Sequence, residues 1–390
     1  MIRKITIKNF KSIVDLTLDL GRFNVVIGAN GCGKTNILEA LVLASGANSK
    51  VMRNEFLMVR GVRIAKPELM INAFEEGSYS RGDDDLSKVM NKCISVAISE
   101  NDGIEKEIML GFDDEANGWR NMSLLNNPRN LEIVRDIASL GQGDEISSVS
   151  SYVKSHYPDD YERFMELINP SKSSMDSFLI YHPKEDHLKE VKESLIAPFG
   201  IQGDGLLQYL KEKSQQPEYK ELFESINEGL GMLDWFDGVA VPGNLLSNEY
   251  KLSIGDKYLR DSMHFFDQRS TNEGFMFLLF YLTLFNSKDT PPFFSIDNIE
   301  TALNPRLCTE LTSRLIKISK EKDKQVVVTT HSPFVLDALD LSDDEVRLFV
   351  ARRDIDGHTR LERIMYREDR NMPLSELWMS GLIGGLPDNF

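Results

Sequence analysis

The sequence contains few cysteines and no long apolar run. Its three cysteines, Cys32, Cys93 and Cys308, lie far apart in 390 residues, and this spacing excludes a disulfide framework or a C-x-x-C metal site. No stretch approaches the roughly 20 apolar residues that a membrane-spanning helix needs. Residues 1–7 already alternate as a β-strand does, so no signal peptide is expected before them. We therefore expect a cytoplasmic protein that does not contact a membrane.

Positive charge is also scarce. The chain has 45 Lys and Arg residues against 61 Asp and Glu residues, which gives a formal net charge of −16. Proteins that bind nucleic acid over a broad surface usually have a basic face, so this balance disfavours DNA or RNA as the main partner. A local basic groove stays open, because net charge does not describe how charge is distributed.

The most informative stretch is Gly28–Thr35, which reads GANGCGKT. It follows an apolar stretch at 23–27 that predicts a buried strand, and it precedes residues 36–43, whose apolar positions recur at helical spacing. Strand, glycine-rich turn and helix together are the setting of a phosphate-binding P-loop. In such a loop the backbone N–H groups and the helix N-terminus hold the phosphates.

The P-loop predicts binding of a nucleoside triphosphate with Mg²⁺. Lys34 is assigned to the β- and γ-phosphates and the Thr35 hydroxyl to the metal. Cys32 is interpreted as a tolerated filler inside the glycine frame. The loop residues expected to contact the nucleotide are Asn30, Gly31, Cys32, Gly33, Lys34, Thr35 and Asn36.

Residues 1–112 predict a β-rich N-terminal lobe. Between Ile5 and Leu20, apolar residues alternate with polar ones, as in two paired strands that each bury one face. Further strands are predicted at 69–74, 93–98 and 104–112. The turn-rich stretch at 77–85 separates two of them, and its acidic run is interpreted as a solvated loop.

Residues 113–240 predict a mostly helical insertion. Leu188, Val191 and Leu195 recur at helical spacing, and residues 178–181 predict one strand that passes through the region. The glycine-rich stretches at 141–144 and 200–205 predict breaks between helices.

Residues 241–390 return to alternating helices and strands. The predicted elements are an apolar helix at 275–285, a strand at 293–296, a helix with Leu307, Leu311 and Leu315 on one face, and strands at 325–328 and 346–350. Strands that alternate with helices indicate a parallel sheet covered by helices. We expect this segment to complete the nucleotide-binding fold.

Two side chains that follow strands of this predicted sheet carry further chemistry. Asp297 comes directly after the strand at 293–296. Ligands collect at the carboxyl ends of parallel strands, so Asp297 is predicted to complete the Mg²⁺ shell with Thr35. His331 follows the strand at 325–328 and can reach the γ-phosphate or the attacking water.

This order of parts resembles the ABC-type ATPase heads of the SMC and RecF kind. More narrowly, it is similar to the bacterial AAA-type ATPases related to the overcoming-lysogenization-defect (OLD) proteins, many of which occur in anti-phage operons. The stretches that carry the resemblance are Ile7–Ser12, Gly28–Thr35, the Walker B strand Phe293–Asp297, the D-loop Ala302–Pro305 and the switch-histidine loop Thr330–Pro333.

The resemblance implies an α/β fold, a P-loop NTPase of the ABC-head type with a β-rich N-terminal lobe and a helical insertion. It places Lys11 and Ser12 beside the nucleotide, with ATP and Mg²⁺ as cofactors. It also implies a homodimer, or a higher oligomer, that closes around ATP. Tyr181–Lys184 is either the nucleotide-sensing Q-loop of that family or simply the end of a strand.

The same family needs a signature segment that caps the γ-phosphate of a second subunit from a helix N-terminus. The best candidate is Ser270–Gly274, with Asn272, Glu273 and Gly274 at the nucleotide. The family has a serine where Asn272 stands, but an amide also donates a hydrogen bond to a phosphate oxygen. Leu252–Gly255 ranks second, because no helix is predicted after it.

The chain departs from the family directly after Asp297. The family usually has a glutamate there, which polarises the attacking water, whereas this chain has Asn298. An amide is not a general base. Either Glu300 takes over this role or His331 positions the water alone, and we expect hydrolysis to be slow.

Four functions remain open at this stage. The first is an ATPase that controls a separate effector protein encoded nearby, in anti-phage defence by the resemblance. The second is an ATP-gated scaffold with little hydrolysis, which Asn298 favours. The third, a nuclease like the full-length OLD proteins, is not expected, because the stretch after His331 is short for the carboxylate metal cluster that it needs. The fourth, a RecF-like DNA-repair clamp, is disfavoured by the net charge.

Overall fold

The structure is a computed structural model that describes residues 1–46, 52–72, 93–101, 103, 105–139, 146–169, 173–260, 263, 265–368 and 372–386. Its strands are β1 (Ile2–Phe10), β2 (Ile13–Asp19), β3 (Phe23–Ile27), β4 (Ile94–Glu100), β5 (Glu105–Asp113), β6 (Gly118–Asn121), β7 (Ile180–Tyr181), β8 (Phe236–Ala240), β9 (Ser253–Asp256), β10 (Phe293–Ile296), β11 (Gln325–Thr329), β12 (Val346–Arg353) and β13 (Thr359–Ile364). Its α-helices are α1 (Lys34–Ser45), α2 (Asn54–Met58), α3 (Pro67–Met70), α4 (Pro128–Ser139), α5 (Ile146–His156), α6 (Tyr161–Ile168), α7 (Glu185–Lys189), α8 (Leu206–Ser214), α9 (Lys220–Leu230), α10 (Glu273–Asn286), α11 (Pro305–Glu321) and α12 (Leu374–Met379).

The strands form two large sheets. One is antiparallel, with the order β2-β1-β4-β5-β6. The other has the order β13-β12-β3-β11-β10-β7; five of its strands run parallel, and β13 pairs antiparallel to β12 at one edge. A separate antiparallel pair consists of β8 and β9. The predicted α/β fold with a β-rich N-terminal lobe is therefore confirmed.

The parallel sheet is buried on both faces. In β3, Val25 and Ile27 pack in one core, whereas Val26 packs in the other, with α1 and the antiparallel sheet. In β11, Val328 packs in the same core as Val25, and Val327 packs in the same core as Val26. Side chains alternate between the two faces of a strand, so a strand that is apolar at every position must lie between two layers. This explains why the central strands β3, β10 and β11 are buried at every position.

Helix α10 covers the face of the parallel sheet opposite α1. Its residues Phe275–Phe285 are all buried, and it packs against α9, α7 and α11. A helix that is apolar all round is stable only when it is enclosed on every side. Within the described ranges, no helix is both long and apolar enough to span a bilayer.

A third, small apolar core lies in the helices that follow the antiparallel sheet. Ile133, Val153, Tyr157 and Phe164 form it, from α4, α5 and the segment up to α6. By contrast, Leu188 and the apolar residues of α8 and α9 pack in the main core with α10. The predicted domain boundaries at 112/113 and 240/241 stay predictions. Within 113–240, the small third core marks the part that packs apart from the two sheets.

Three local predictions were wrong. Residues 67–70 form helix α3 where a strand was predicted from residue 69, because Pro67 has the fixed φ that suits the first turn of a helix. Helix α7 ends at Lys189, so Val191 and Leu195 are not on a helix and are exposed. Strand β6 continues the antiparallel sheet beyond residue 113, which the sequence pattern had assigned to the helical part.

Several other predictions have clear outcomes. The strand at 178–181 is present as the short edge strand β7, and the helices and strands between 275 and 350 lie where they were predicted. The turn-rich stretch at 77–85 and the glycine-rich stretch at 141–144 lie outside the described residues.

One buried amide joins the two sheets at the amino end of β11. The Gln325 Oε1 atom accepts a hydrogen bond from the Ile2 N–H at 2.9 Å. Its Nε2 atom donates to the carbonyl oxygens of Ile2 and Gly21, both at 2.7 Å. The side chain is 3% exposed, so water does not replace these bonds. The amide thus provides the same donors and acceptors as a neighbouring peptide group.

We predict that Gln325→Leu lowers the free energy of unfolding by about 3 kcal/mol, because it leaves three buried backbone groups without partners. Urea unfolding followed by circular dichroism measures this change. Gln215→Leu is the matched control, since Gln215 is exposed and surface changes of this kind stay within about 0.5 kcal/mol. Equal unfolding midpoints for the two variants would show that the amide does not hold the sheets together.

Candidate functional site

The P-loop connects the end of β3 to the start of α1, as predicted. Gly28 and Gly33 have φ angles of 147° and 105°, which favour glycine. A Cβ atom on Gly33 would overlap Thr359 Oγ1, and one on Gly28 would overlap the Ala351 carbonyl oxygen. No side chain caps the N-terminus of α1, so its first N–H groups are available to an anion.

Lys34 lies inside the P-loop. Its side chain is buried, with 6% of the residue exposed, and Nζ donates hydrogen bonds to the carbonyl oxygens of Gly28 at 2.7 Å and Ala29 at 3.2 Å. Burial lowers the pKa of Lys34 from its ordinary value, whereas the nearby acids Asp297 and Glu300 oppose this shift. A buried ammonium group aimed along the loop is suited to bind phosphate oxygens.

Thr35 and Asp297 meet at the carboxyl edge of the parallel sheet. The Thr35 hydroxyl donates to Asp297 Oδ2 at 3.3 Å, and the Thr329 hydroxyl donates to Asp297 Oδ1 at 2.5 Å. Mg²⁺ is bound through one or two carboxylates together with phosphate oxygens and water. The hydroxyl and the carboxylate oxygen therefore fit Mg²⁺.

Asn298, which stands where the family has a glutamate, and Glu300, which could take over its role, have different surroundings. Asn298 has a φ of 60°, and its N–H donates to Thr329 Oγ1 at 3.0 Å. Both oxygens of Glu300 already accept hydrogen bonds, from the Thr330 hydroxyl at 2.7 Å and from the His331 N–H at 2.8 Å. In this arrangement Glu300 fixes the histidine loop, which competes with a role as general base.

His331 follows β11 and is exposed. Partial burial lowers the pKa of its imidazole, and the charge of Lys34 lowers it further, whereas Glu300 and Asp297 oppose this. The net shift favours the neutral imidazole over the imidazolium. A neutral imidazole can donate one hydrogen bond and accept another.

Ser12 and Asn36 are in direct contact beside the P-loop. The Asn36 Nδ2 atom donates to Ser12 Oγ at 2.8 Å, and Ser12 Oγ also forms a hydrogen bond of 2.6 Å with Thr359 Oγ1. Lys11 points to the first helix instead, where Nζ donates to Glu39 Oε2 at 2.6 Å. The structure thus brings Ser12 to the P-loop, whereas Lys11 is engaged by the first helix, and a role of either residue at the nucleotide stays a prediction.

Sequence reasoning missed Glu39 and Arg63. The Glu39 carboxylate is fully buried and forms ion pairs with Lys11 at 2.6 Å and Arg63 at 2.8 Å. Arg63 Nη2 also donates to Asn36 Oδ1 at 3.1 Å, and its hydrogen bond with Glu39 raises the pKa of its guanidinium. The sequence signal for a buried charge at Glu39 was its position as a single acid inside the otherwise apolar stretch 37–44.

The predicted signature segment ends at the N-terminus of α10. The Asn272 Oδ1 atom caps this helix by accepting from the Phe275 N–H at 2.8 Å, and Asn272 and Glu273 are exposed. Gly274 lies against the D-loop, because a Cβ atom there would be 3.2 Å from the Ala302 carbonyl oxygen. The second-ranked stretch, 252–255, runs into strand β9.

The end of β7 lies next to the metal-binding residues. The Asp297 N–H donates to the Tyr181 carbonyl oxygen at 2.9 Å, and the next side chain, His182, forms a 3.1 Å hydrogen bond with Gln202 Nε2. Burial lowers the pKa of His182. Because Gln202 is 20 residues from His182, the sequence pattern gave no signal for this pair.

Comparison with known proteins gives matches over most of the chain. A family model described as "AAA domain, putative AbiEii toxin, Type IV TA system" matches residues 23–337. Among solved structures, an Smc head bound to the C-winged helix domain of ScpA aligns with a TM-score of 0.47 and 14% identity, over 93% of this chain and 98% of that chain.

Two curated proteins match short segments of the chain. The chromosome partition protein Smc of Methanocaldococcus jannaschii is 41% identical over 58 residues, which are 14% of this chain and 5% of that protein. The OLD nuclease of Thermus scotoductus is 41% identical over 46 residues, which are 12% of this chain and 9% of that protein. The resemblance to SMC and OLD proteins is thus confirmed, over short segments of much longer relatives.

We predict that Glu39→Gln lowers the free energy of unfolding by about 2 kcal/mol, because it leaves the mostly buried Lys11 and the exposed Arg63 without their buried counter-ion. Denaturant unfolding measures the change. Glu362→Gln removes an exposed partner of Arg352 and is the control, with an expected change below about 0.5 kcal/mol. A Glu39→Gln variant as stable as this control would contradict a stabilising role for the buried carboxylate.

Proposed function

The chain belongs to the AAA-domain family whose model covers residues 23–337, and from this premise we propose that it is an ATP-driven switch. Two copies close around two Mg²⁺-ATP molecules, and slow hydrolysis opens them again. Opening and closing control a separate effector protein, in bacterial anti-phage defence. We place this activity in the cytoplasm, with nucleic acid as a disfavoured partner because of the net charge of −16.

The observation that carries this proposal is the contact between Thr35 Oγ1 and Asp297 Oδ2, 262 residues apart in the chain and 3.3 Å apart in space. These two oxygens would hold Mg²⁺, which would supply positive charge to the β- and γ-phosphate oxygens during phosphoryl transfer. Lys34 would exchange its carbonyl partners, Gly28 and Ala29, for these phosphate oxygens. Asn30–Asn36, Lys11 and Ser12 surround the remaining phosphates and the nucleoside.

Slow hydrolysis follows from the residues around the attacking water. Asn298 has no basic atom, and the Glu300 carboxylate is held by Thr330 and His331. His331 positions the water, and neither Asn298 nor the engaged Glu300 carboxylate takes up the proton that the water loses on attack. The ATP-bound dimer is therefore the long-lived state.

Dimer closure depends on the N-terminus of α10 from the second copy. Asn272 Oδ1 is occupied by its helix, which leaves the Nδ2 group to donate to a γ-phosphate. Gly274 allows the backbone to approach the γ-phosphate closely, and Glu273 lies between Asn272 and Gly274 in the chain. The positive end of the helix adds to the attraction for phosphate.

Effector control in defence rests on the likeness to the OLD nuclease and on the description of the family. OLD proteins combine an ATPase with a nuclease in one chain, by the resemblance stated above. The aligned segment covers 9% of the curated OLD nuclease. We propose that an effector encoded nearby has the corresponding role here.

We predict ATP turnover far below a typical enzyme rate of about 10 s⁻¹, and none in Lys34→Ala. Asn298→Glu should raise kcat about a hundredfold, because a positioned general base contributes this much. Asn298→Gln is the matched control, since it has the same length and no basic oxygen. Phosphate release by the purified protein measures all four.

A wild-type rate near 10 s⁻¹ would contradict slow hydrolysis. Tight ATP binding without any turnover, also in Asn298→Glu, would favour the second candidate function, an ATP-gated scaffold. Asn298 is the observation that favours this candidate.

We predict that Asn272→Asp abolishes ATP-dependent dimerisation and leaves ATP binding by the monomer unchanged. Aspartate caps a helix as well as asparagine does, so the thermal midpoint stays the same, but its charge repels the γ-phosphate. Light scattering with a non-hydrolysable ATP analogue measures the mass. Ser253→Ala is the control for the second-ranked segment; loss of the dimer only in Ser253→Ala would assign the signature to 252–255.

A further inference from the structure

We propose that the hairpin of β12 and β13 positions the P-loop for phosphate binding, through Thr359 and Arg353. This inference rests on the proposed nucleotide site and adds two positioning residues that lie more than 300 residues away in the chain. Neither residue belongs to a sequence motif, and neither is expected to touch the nucleotide.

Thr359 holds one P-loop carbonyl group and the neighbouring serine. Its Oγ1 atom donates to the Cys32 carbonyl oxygen at 2.9 Å and forms a 2.6 Å hydrogen bond with Ser12 Oγ. Its N–H donates to the Ser12 carbonyl oxygen at 2.7 Å. Thr359 is 1% exposed, and it fills the space that a Cβ atom on Gly33 would need.

Arg353 holds the carbonyl group of Gly31, the residue before Cys32. Its Nε atom donates to the Gly31 carbonyl oxygen at 2.8 Å, and Nη1 donates to the Gly357 carbonyl oxygen at 3.1 Å. The guanidinium thus joins the P-loop to the turn of its own hairpin.

These two contacts fix the direction of two N–H groups. A trans peptide group is planar, and its C=O and N–H bonds point in opposite directions. The Gly31 carbonyl shares a peptide group with the Cys32 N–H, and the Cys32 carbonyl shares one with the Gly33 N–H. Holding both carbonyl oxygens on the hairpin side therefore turns both N–H groups to the other side. There the Cys32 N–H donates to the Ala29 carbonyl oxygen at 3.3 Å and closes the turn of the loop, and the Gly33 N–H faces the side where a phosphate binds.

The hairpin is rigid enough for this role. Strand β12 pairs with β3 up to Ile27, directly before the P-loop, and with β13 as far as the pair Arg353 and Thr359. In the turn, the Asp354 carboxylate accepts hydrogen bonds from the His358 N–H at 2.9 Å and from Arg360 Nε at 2.7 Å. Thr359 and Arg353, which together form a clamp on the P-loop, therefore belong to the same sheet as the strand that leads into the P-loop.

The first test compares Thr359→Val, which removes the hydroxyl at constant shape, with Thr359→Ser, which keeps it. We expect Thr359→Val to raise the Kd for ATP and ADP about tenfold and to leave the Kd for AMP unchanged, because the Gly33 N–H that it orients is proposed to bind the β-phosphate. Thr359→Ser should stay within about twofold of wild type. Isothermal titration calorimetry measures each Kd, and a purely structural defect would weaken all three nucleotides and lower the thermal midpoint.

The second test uses neighbouring arginines on β12. Arg353→Gln should raise the Kd for ATP and ADP about fivefold. Arg352→Gln is the matched control and should change nothing, since Arg352 is exposed and its ion pair is with Glu362. This pair decides the question if Thr359→Val does not fold.

Lys34→Ala distinguishes a failure of the proposed nucleotide site from a failure of the clamp formed by Thr359 and Arg353. If Lys34→Ala binds ATP as well as wild type does, the proposed function is wrong. If Lys34→Ala loses ATP while Thr359→Val and Arg353→Gln bind ATP and ADP like wild type, the nucleotide site stands and the clamp is overturned.

Discussion

The candidate site depends on the parallel alignment of five neighbouring strands. Because β12, β3, β11, β10 and β7 run in one direction, their carboxyl ends meet at one edge. The P-loop, Asp297, His331, His182 and Arg353 each follow or end one of these strands. Burial of both faces fixes the register, since a slip of one residue would turn every side chain to the opposite face. A site assembled from distant parts of the chain is thereby held by ordinary core packing.

Polar contacts then support the P-loop and the first helix from two directions. On the helix side, the buried Glu39 carboxylate fixes Lys11 and Arg63. On the other side, Thr359 and Arg353 hold the loop carbonyl groups. The result is a phosphate site whose donors are oriented before the ligand arrives, which reduces the reorganisation that binding requires.

The sequence predicted the parts of the site that consist of contiguous motifs. Lys34 and Thr35 were identified because glycine spacing, strand and helix all fall within one short stretch, and Asp297 because it directly follows a mostly apolar strand. Thr359 carries no such local signal, since its role arises from contacts far along the chain, and the signal for Glu39 was only a single acid within an apolar stretch. Local periodicity also failed at Val191, where apolar spacing continues but the helix ends.

Strand β11 has a mechanical consequence. Gln325 fastens its amino end to the antiparallel sheet, and His331 follows its carboxyl end, about 20 Å away at about 3.3 Å per residue. The strand is fully buried between two layers, so packing holds it in place along its whole length. One buried strand therefore sets the position of the histidine loop relative to the antiparallel sheet.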